Sequence, residues 1–126
     1  MIAQFAAVGA GAAIGAWLRW GLTMWLNPKL SNFPLGTLAA NLIGGYLVGF
    51  AIALFLARTD LTHEWRLFVV TGVLGGLTTF STFSAEVVEL TMQGEAARAL
   101  ALAAAHLAGS LVLTWAGFAT FRMLAS

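Results

Sequence analysis

The stretch Gly75-Gly-Leu-Thr-Thr-Phe-Ser-Thr-Phe-Ser84 lies in the middle of an apolar run long enough to cross a membrane. Five hydroxyls fall within seven residues there, behind a glycine pair and interleaved with Phe80 and Phe83. Hydrocarbon does not tolerate loose polar backbone or unpaired hydroxyls, so such a stretch must be buried in protein or must line a cavity or ion path. Gly75 and Gly76 weaken a helix, and Thr78 and Thr79 can bond the backbone instead of continuing it. The reading is therefore a transmembrane helix broken at mid-membrane. Freed carbonyls there make a cation site, and a restarting helix N-terminus favours an anion. A simple glycine kink is the plainer account, but the clustered hydroxyls favour the break.

The rest of the chain agrees with a membrane setting. Of its 126 residues, 60% are hydrophobic and only 9% are charged, with a mean hydropathy of +0.90. A soluble domain needs more charge to cover its surface. Four segments approach the ~20 residues that span a ~30 Å hydrocarbon core: about 3–26, 36–57, 67–91 and 99–122. Residues 1–126 read as one all-α transmembrane domain. The first segment lacks a positive flank and stays apolar to about Leu26, so it reads as a retained span, not a signal peptide. Asn27-Pro28 is expected to end it, and Pro34-Leu-Gly-Thr37 to open the second. Thr62 is a natural N-cap for the third, with Glu64 in its first turn, and Gln93-Gly94 closes it.

Composition also excludes chemistry. There are no cysteines, and His63 and His106 lack metal-ligand spacing. A net charge of +1 gives no reason to expect nucleic acid. No nucleophile–base pair or cofactor loop suggests an enzyme. Arg58, Arg66 and Arg122 face one side of the bilayer, while Arg19, Lys29 and Arg98 lie toward the other. Three against three leaves the positive-inside rule without a preference. Chance balance in a short chain is one reading. Insertion both ways, with pairing as an antiparallel dimer, is the sharper one. Gly11/Gly15, Gly45/Gly49 and Gly72/Gly76 recur at a spacing that lets helices approach closely.

Three helices carry polar stripes. Thr37 and Asn41 share a face of the second, and His106, Ser110 and Thr114 make one line on the fourth. Interhelical hydrogen bonding is the ordinary explanation for the fourth-helix stripe. Asn41 divides evenly between function and structural glue. Arg19 and Glu86 are costly intramembrane ions that either pair or reach an interface. Phe80 and Phe83, flanked by Ser81, Thr82 and Ser84, read as the border of a polar path. Aromatic ring edges are positive and can face an anion without a full charge. With amide and hydroxyl donors, the set suits a small, strongly hydrogen-bonding anion that must move on.

At these residues the chain resembles the Fluc (CrcB-type) fluoride channels of bacteria. The matching segments are Gly-Ala-Trp-Leu-Arg-Trp (15–20), Gly-Thr-Leu-Ala-Ala-Asn-Leu-Ile-Gly-Gly (36–45), Thr-Gly-Val-Leu-Gly-Gly-Leu-Thr-Thr-Phe-Ser-Thr-Phe-Ser-Ala-Glu (71–86) and His-Leu-Ala-Gly-Ser (106–110). The resemblance implies a dual-topology, antiparallel homodimer in the bacterial inner membrane, with two pores that passively export fluoride and confer resistance to it. It implies pore roles for Phe80, Phe83 and Asn41, with Ser110 and Thr114 along a polar track; Thr37, Ser81 and Thr82 are further pore candidates. It also implies a structural sodium ion at the dimer interface, held by backbone carbonyls of Gly75 and Thr78, with Arg19 near a vestibule and Glu86 near a pore end. A small four-helix, dual-topology multidrug exporter is the alternative, but such exporters need an acid in the first helix, whose only charge here is Arg19. A third reading is a scaffold that transports nothing.

Overall fold

A computed structural model describes residues 1–27 and 33–126. Pro28 and Lys29, which entered the expected first-helix stop and the charge tally, lie outside the described residues. Four helical spans are long and apolar enough to cross a membrane: Ile2–Leu26, Leu35–Ala57, His63–Met92 and Ala96–Ala125. The first two are continuous helices, α1 (Ile2–Leu26) and α2 (Leu35–Ala57). The third is composite. It starts as α3 (His63–Arg66), widens into a π-helical segment over Leu67–Leu74, tightens to one turn, α4 (Gly75–Leu77), and breaks. It restarts as α5 (Phe80–Met92), and α6 (Ala96–Ala125) forms the fourth span.

Caps fall where their residue types lead one to expect. Thr62 accepts a hydrogen bond from the Trp65 amide and caps the third span as expected, the helix beginning at His63 ahead of the apolar stretch 67–91. Gly94 takes φ +78°, a left-handed geometry that suits glycine, and turns the chain from α5 into α6. The Asn27 side chain accepts the Gly36 amide at 2.6 Å and so ties the end of α1 to the start of α2.

Two helix pairs are held by glycine contacts. In the first, Gly11 and Gly15 of α1 meet Gly72 and Gly76 of the third span. A Cβ on Gly11 would come within 2.9 Å of the Gly72 Cα, and one on Gly76 within 2.5 Å of the Ala12 carbonyl oxygen. In the second, Gly45 and Gly49 of α2 lie against Ser110 and Thr114 of α6, and Gly117 of α6 lies against Tyr46 and Phe50. Lipid offers no hydrophobic drive for helices to associate, so backbone-to-backbone approach through small residues supplies the packing. The pairings Gly11–Gly72 with Gly15–Gly76, and Gly45–Ser110 with Phe50–Phe121, advance in the same direction, so each pair runs parallel. The hairpin at Gly94 makes α5 antiparallel to α6, and there Leu90, Ala99 and Leu102 form a small buried cluster. Trp17, Trp20, Trp25, Leu107, Leu111 and Trp115 point outward, a surface suited to lipid or another apolar partner.

One expectation shifts. The break does not fall at the glycine pair. Gly75 and Gly76 stay helical, and the chain extends at Thr78 (φ −89°, ψ 154°) and Thr79 (φ −153°, ψ 121°). The physical reason is visible on both sides. Gly76 is needed for the close contact with α1, whereas the Thr79 backbone is bound by a side chain from α2.

Candidate functional site

That side chain is Asn41. Its Oδ1 accepts the Thr79 backbone N–H at 2.7 Å, and its Nδ2 donates to the Thr79 carbonyl at 3.0 Å. In an unbroken helix the Thr79 N–H would bond the carbonyl of Gly75. Asn41 therefore replaces helix backbone pairing at the break and leaves the Gly75 carbonyl without that donor. Thr79 in turn caps α5, its Oγ1 accepting from the Thr82 amide at 3.2 Å and donating to Thr82 Oγ1 at 3.2 Å. On the other side of the break, Arg19 Nε donates to the Gly76 carbonyl at 3.1 Å. A guanidinium at a helix C-terminus is favourable both as a hydrogen-bond donor and as a charge on the helix dipole. The two costly groups suspected from sequence thus both find partners: Arg19 bonds the broken backbone, and Glu86 Oε2 accepts from Thr37 Oγ1 at 2.7 Å.

An open-sided cavity of about 430 Å³ adjoins the break. Asn41, Thr78, Thr79, Phe80, Phe83, His106 and Ser110 are among the residues lining it, with Gly44, Gly45 and Gly75 supplying backbone. Phe80 and Phe83 pack edge to face, with ring centroids 5.4 Å apart at 77°. Phe83 also lies against the His106 ring, at 4.3 Å and 33°. Phe80 is 78% exposed at the rim.

The structure thus brings Asn41, Phe80, Phe83 and Ser110 to one cavity, together with the cation candidates Gly75 and Thr78. Thr37 and Glu86 are joined one helical turn away from Asn41. Thr82 is not among the lining residues and is bonded to Thr79. Ser81 is exposed with its hydroxyl 3.4 Å from that of Thr79. Thr114 packs at the α2–α6 crossing beside Gly45 and Gly49, beyond the cavity lining.

Sequence reasoning left His106 as one hydroxyl-stripe neighbour among others. The fold makes it central. It is 3% exposed, and its Nδ1 lies 3.0 Å from Asn41 Nδ2. The Asn41–Thr79 pair fixes the tautomer: a backbone N–H can only donate and a carbonyl only accept, so Oδ1 must face the Thr79 amide and Nδ2 its carbonyl. Nδ2 then donates its second hydrogen to His106 Nδ1, and the imidazole proton resides on Nε2. Among the described residues, His106 Nε2 and Glu86 Oε1 are the buried side-chain atoms without a hydrogen-bond partner. No spacing rule could have foretold the Asn41–His106 contact, because it depends on the parallel register of α2 and α6.

Metal-ligating side chains do not cluster: no group of three His, Asp or Glu among the described residues could hold an ion. A cation at the break would be held by neutral oxygens, main-chain carbonyls among them. Main-chain oxygens there suit a hard cation, since the Gly75 carbonyl has lost its helical donor and Thr78, in extended backbone, directs its carbonyl out of the helical ladder.

Fold and site together define a small multi-pass membrane protein with an open-sided cavity beside a broken third helix. The chain belongs to the CrcB family: the model of the CrcB-like protein, Camphor Resistance (CrcB), matches residues 6–118. Its relatives include proteins named fluoride-specific ion channel FluC. One from Pseudomonas putida (strain W619) is 56% identical over 124 residues, covering 98% of each chain. One from Thiobacillus denitrificans is 57% identical over 120 residues, 95% of this chain and 97% of its own. Another, from Dechloromonas aromatica, is 58% identical over 117 residues, 93% of this chain and 87% of its own. The exporter alternative finds no support, since α1 carries no acidic residue.

Proposed function

We propose that this chain is a fluoride-selective channel of the bacterial inner membrane, passively exporting fluoride and so conferring resistance to it, with no enzymatic step. The observation that carries the reading is the cavity where Asn41, Phe80, Phe83 and Ser110 meet beside the break, in a chain whose relatives at this identity are named for fluoride. Fluoride enters an acid-stressed cell as neutral HF and dissociates inside, and a membrane potential negative inside drives the anion out along any selective path. The small anion is the strongest hydrogen-bond acceptor among the halides. A narrow path of hydroxyl, amide and ring-edge donors replaces part of its hydration without trapping it, because the spans supply no lysine ammonium.

The working unit is an antiparallel homodimer with two such paths. Phe80 and Gly75 lie exposed beside the cavity, where a second copy can close it. A structural sodium ion at the interface accounts for the main-chain oxygens of Gly75 and Thr78, with both copies contributing. Bound there, it would supply positive charge to the broken ends of the third span.

Liposomes loaded with fluoride and reconstituted with the protein should release it, read on a fluoride electrode, once a potassium ionophore removes the charge build-up. The flux should collapse in Phe80→Ile, which keeps bulk but loses the ring edge, and in Asn41→Asp, which sets a negative charge on the path. Normal flux in both variants would remove these residues from the mechanism.

A further inference from the structure

The hydrogen-bond count at Asn41 carries a consequence for how the path works. An asparagine amide has two N–H donors. One is given to the Thr79 carbonyl and the other to His106 Nδ1, each at 3.0 Å. Oδ1 is occupied by the Thr79 amide. No donor of Asn41 is left for an anion. An anion that reaches this amide must take one of the two hydrogens from its present acceptor. The Thr79 carbonyl belongs to a backbone pair bound twice over, so it is the harder of the two to displace. His106 is held to Asn41 by a single hydrogen bond, its Nε2 has no partner among the described residues, and its ring packs on Phe83.

We propose that His106 is a positioning residue that competes with the permeant anion for the second N–H of Asn41. In the empty path Nδ1 holds that hydrogen. When fluoride arrives, the imidazole yields it, and when fluoride leaves, the imidazole takes it back. The exchange keeps Asn41 satisfied in both states, so the anion gains a donor without gaining a deep well. A conducting site needs binding strong enough to admit the ion and weak enough to release it. His106 meets the second condition. No proton is transferred and no bond is made or broken beyond the hydrogen bonds.

The inference rests on the fluoride-channel reading, and the same assay separates the two. Fluoride efflux is measured against internal fluoride concentration, giving a half-saturating concentration and a maximal flux. His106→Phe keeps a flat ring against Phe83 but removes the acceptor. It should lower the half-saturating fluoride roughly threefold to tenfold, the range for one freed hydrogen bond, and should lower the maximal flux as well. His106→Asn, which again offers an oxygen close to the Nδ1 position, should return both values toward the wild type. A merely structural histidine would reduce flux by loss of assembled protein, with the half-saturating concentration unchanged. Unchanged half-saturation in His106→Phe, or identical behaviour of His106→Phe and His106→Asn, overturns the inference. If His106→Phe does not assemble, His106→Gln takes its place: glutamine sets its amide near Nε2 and leaves the Nδ1 position empty, and equality with His106→Asn is then the overturning result. Absence of fluoride flux from the wild type would overturn the channel reading itself.

Discussion

Thr37 shows how a single hydroxyl can make a half-buried acid tolerable. It is 2% exposed, and its Oγ1 donates to Glu86 Oε2, the other oxygen of which has no partner among the described residues. Thr37→Val keeps the shape and strips that donor, leaving both carboxyl oxygens unbonded. It should destabilise the fold by about 1–3 kcal/mol, the range for an orphaned buried polar group. Thr37→Ser should recover most of the loss, read as thermal unfolding in detergent. Outside the membrane, a surface residue behaves differently. Asp60 is held down to about 2, from its ordinary 3.8, first by the hydrogen bond from Arg58 and also by its own backbone. Arg58 Nη2 approaches it to 2.7 Å, with both side chains more than half exposed. Because the folded value lies below the ordinary one, whatever this pair contributes is complete above about 3.8 and fades as pH falls toward 2. Titration of the Asp60 carboxyl, followed by NMR, should have its midpoint near 2 and move up in Arg58→Gln, with little change in overall stability, as befits an exposed pair.

At the scale of the helix, α1 offers a matched pair of glycines. A Cβ on Gly15 would overlap the Val73 carbonyl and reach within 2.7 Å of the Leu77 amide, whereas one on Gly9 would meet nothing within 4 Å. Gly15→Ala should force α1 away from the third span and destabilise the protein by about 1–3 kcal/mol, as overpacking does. Gly9→Ala should be neutral or stabilise by up to about 1 kcal/mol through helix propensity. Thermal unfolding of the two variants side by side checks both, and equal melting would show that the glycine contacts do not hold the pair. These contacts were legible as four-residue spacings, as were the four spans and the Thr62 and Gly94 caps. A broken third helix was legible too, and so was its neighbourhood from Gly75 to Thr79, though not which of those residues leave the helix. Glycine looked like the breaker because it is a poor helix former, yet Gly75 and Gly76 remain helical under tertiary packing, and the break belongs to Asn41, 38 residues away from Thr79 in sequence. The π-helical turns over Leu67–Leu74 leave no mark in the sequence, since wider turns have no residue signature there. The Asn41–His106 bond was hidden for the same reason as the break: it is set by helix register, not by local pattern.

At the scale of the whole molecule, the proposed homodimer follows from what one chain leaves uncovered. A single protomer presents Phe80, Leu107 and Leu111 along the open side of the cavity, and Gly75 among them offers its backbone to that side. Lipid tails could cover the apolar side chains, but they cannot satisfy the polar backbone at the break. A second copy can, and the balance of arginines and lysine between the two ends leaves either insertion open. If pairing is antiparallel, each end of the chain is found on both faces of the membrane. A cysteine placed singly at Thr59, in the loop before the third span, or at Gln93, in the loop after it, reports this directly, since the chain has none of its own. With intact cells and a membrane-impermeant thiol reagent, about half of the protein should be labelled at either position, and the rest only after the membrane is opened. Addition of several lysines at one end should drive all copies one way by the same rule. Fluoride flux should then disappear, and it should return when a chain biased the opposite way is co-expressed. Complete labelling of one position with none of the other in the unbiased chain would instead mean a single orientation, and the second copy would have to close the cavity as a parallel partner.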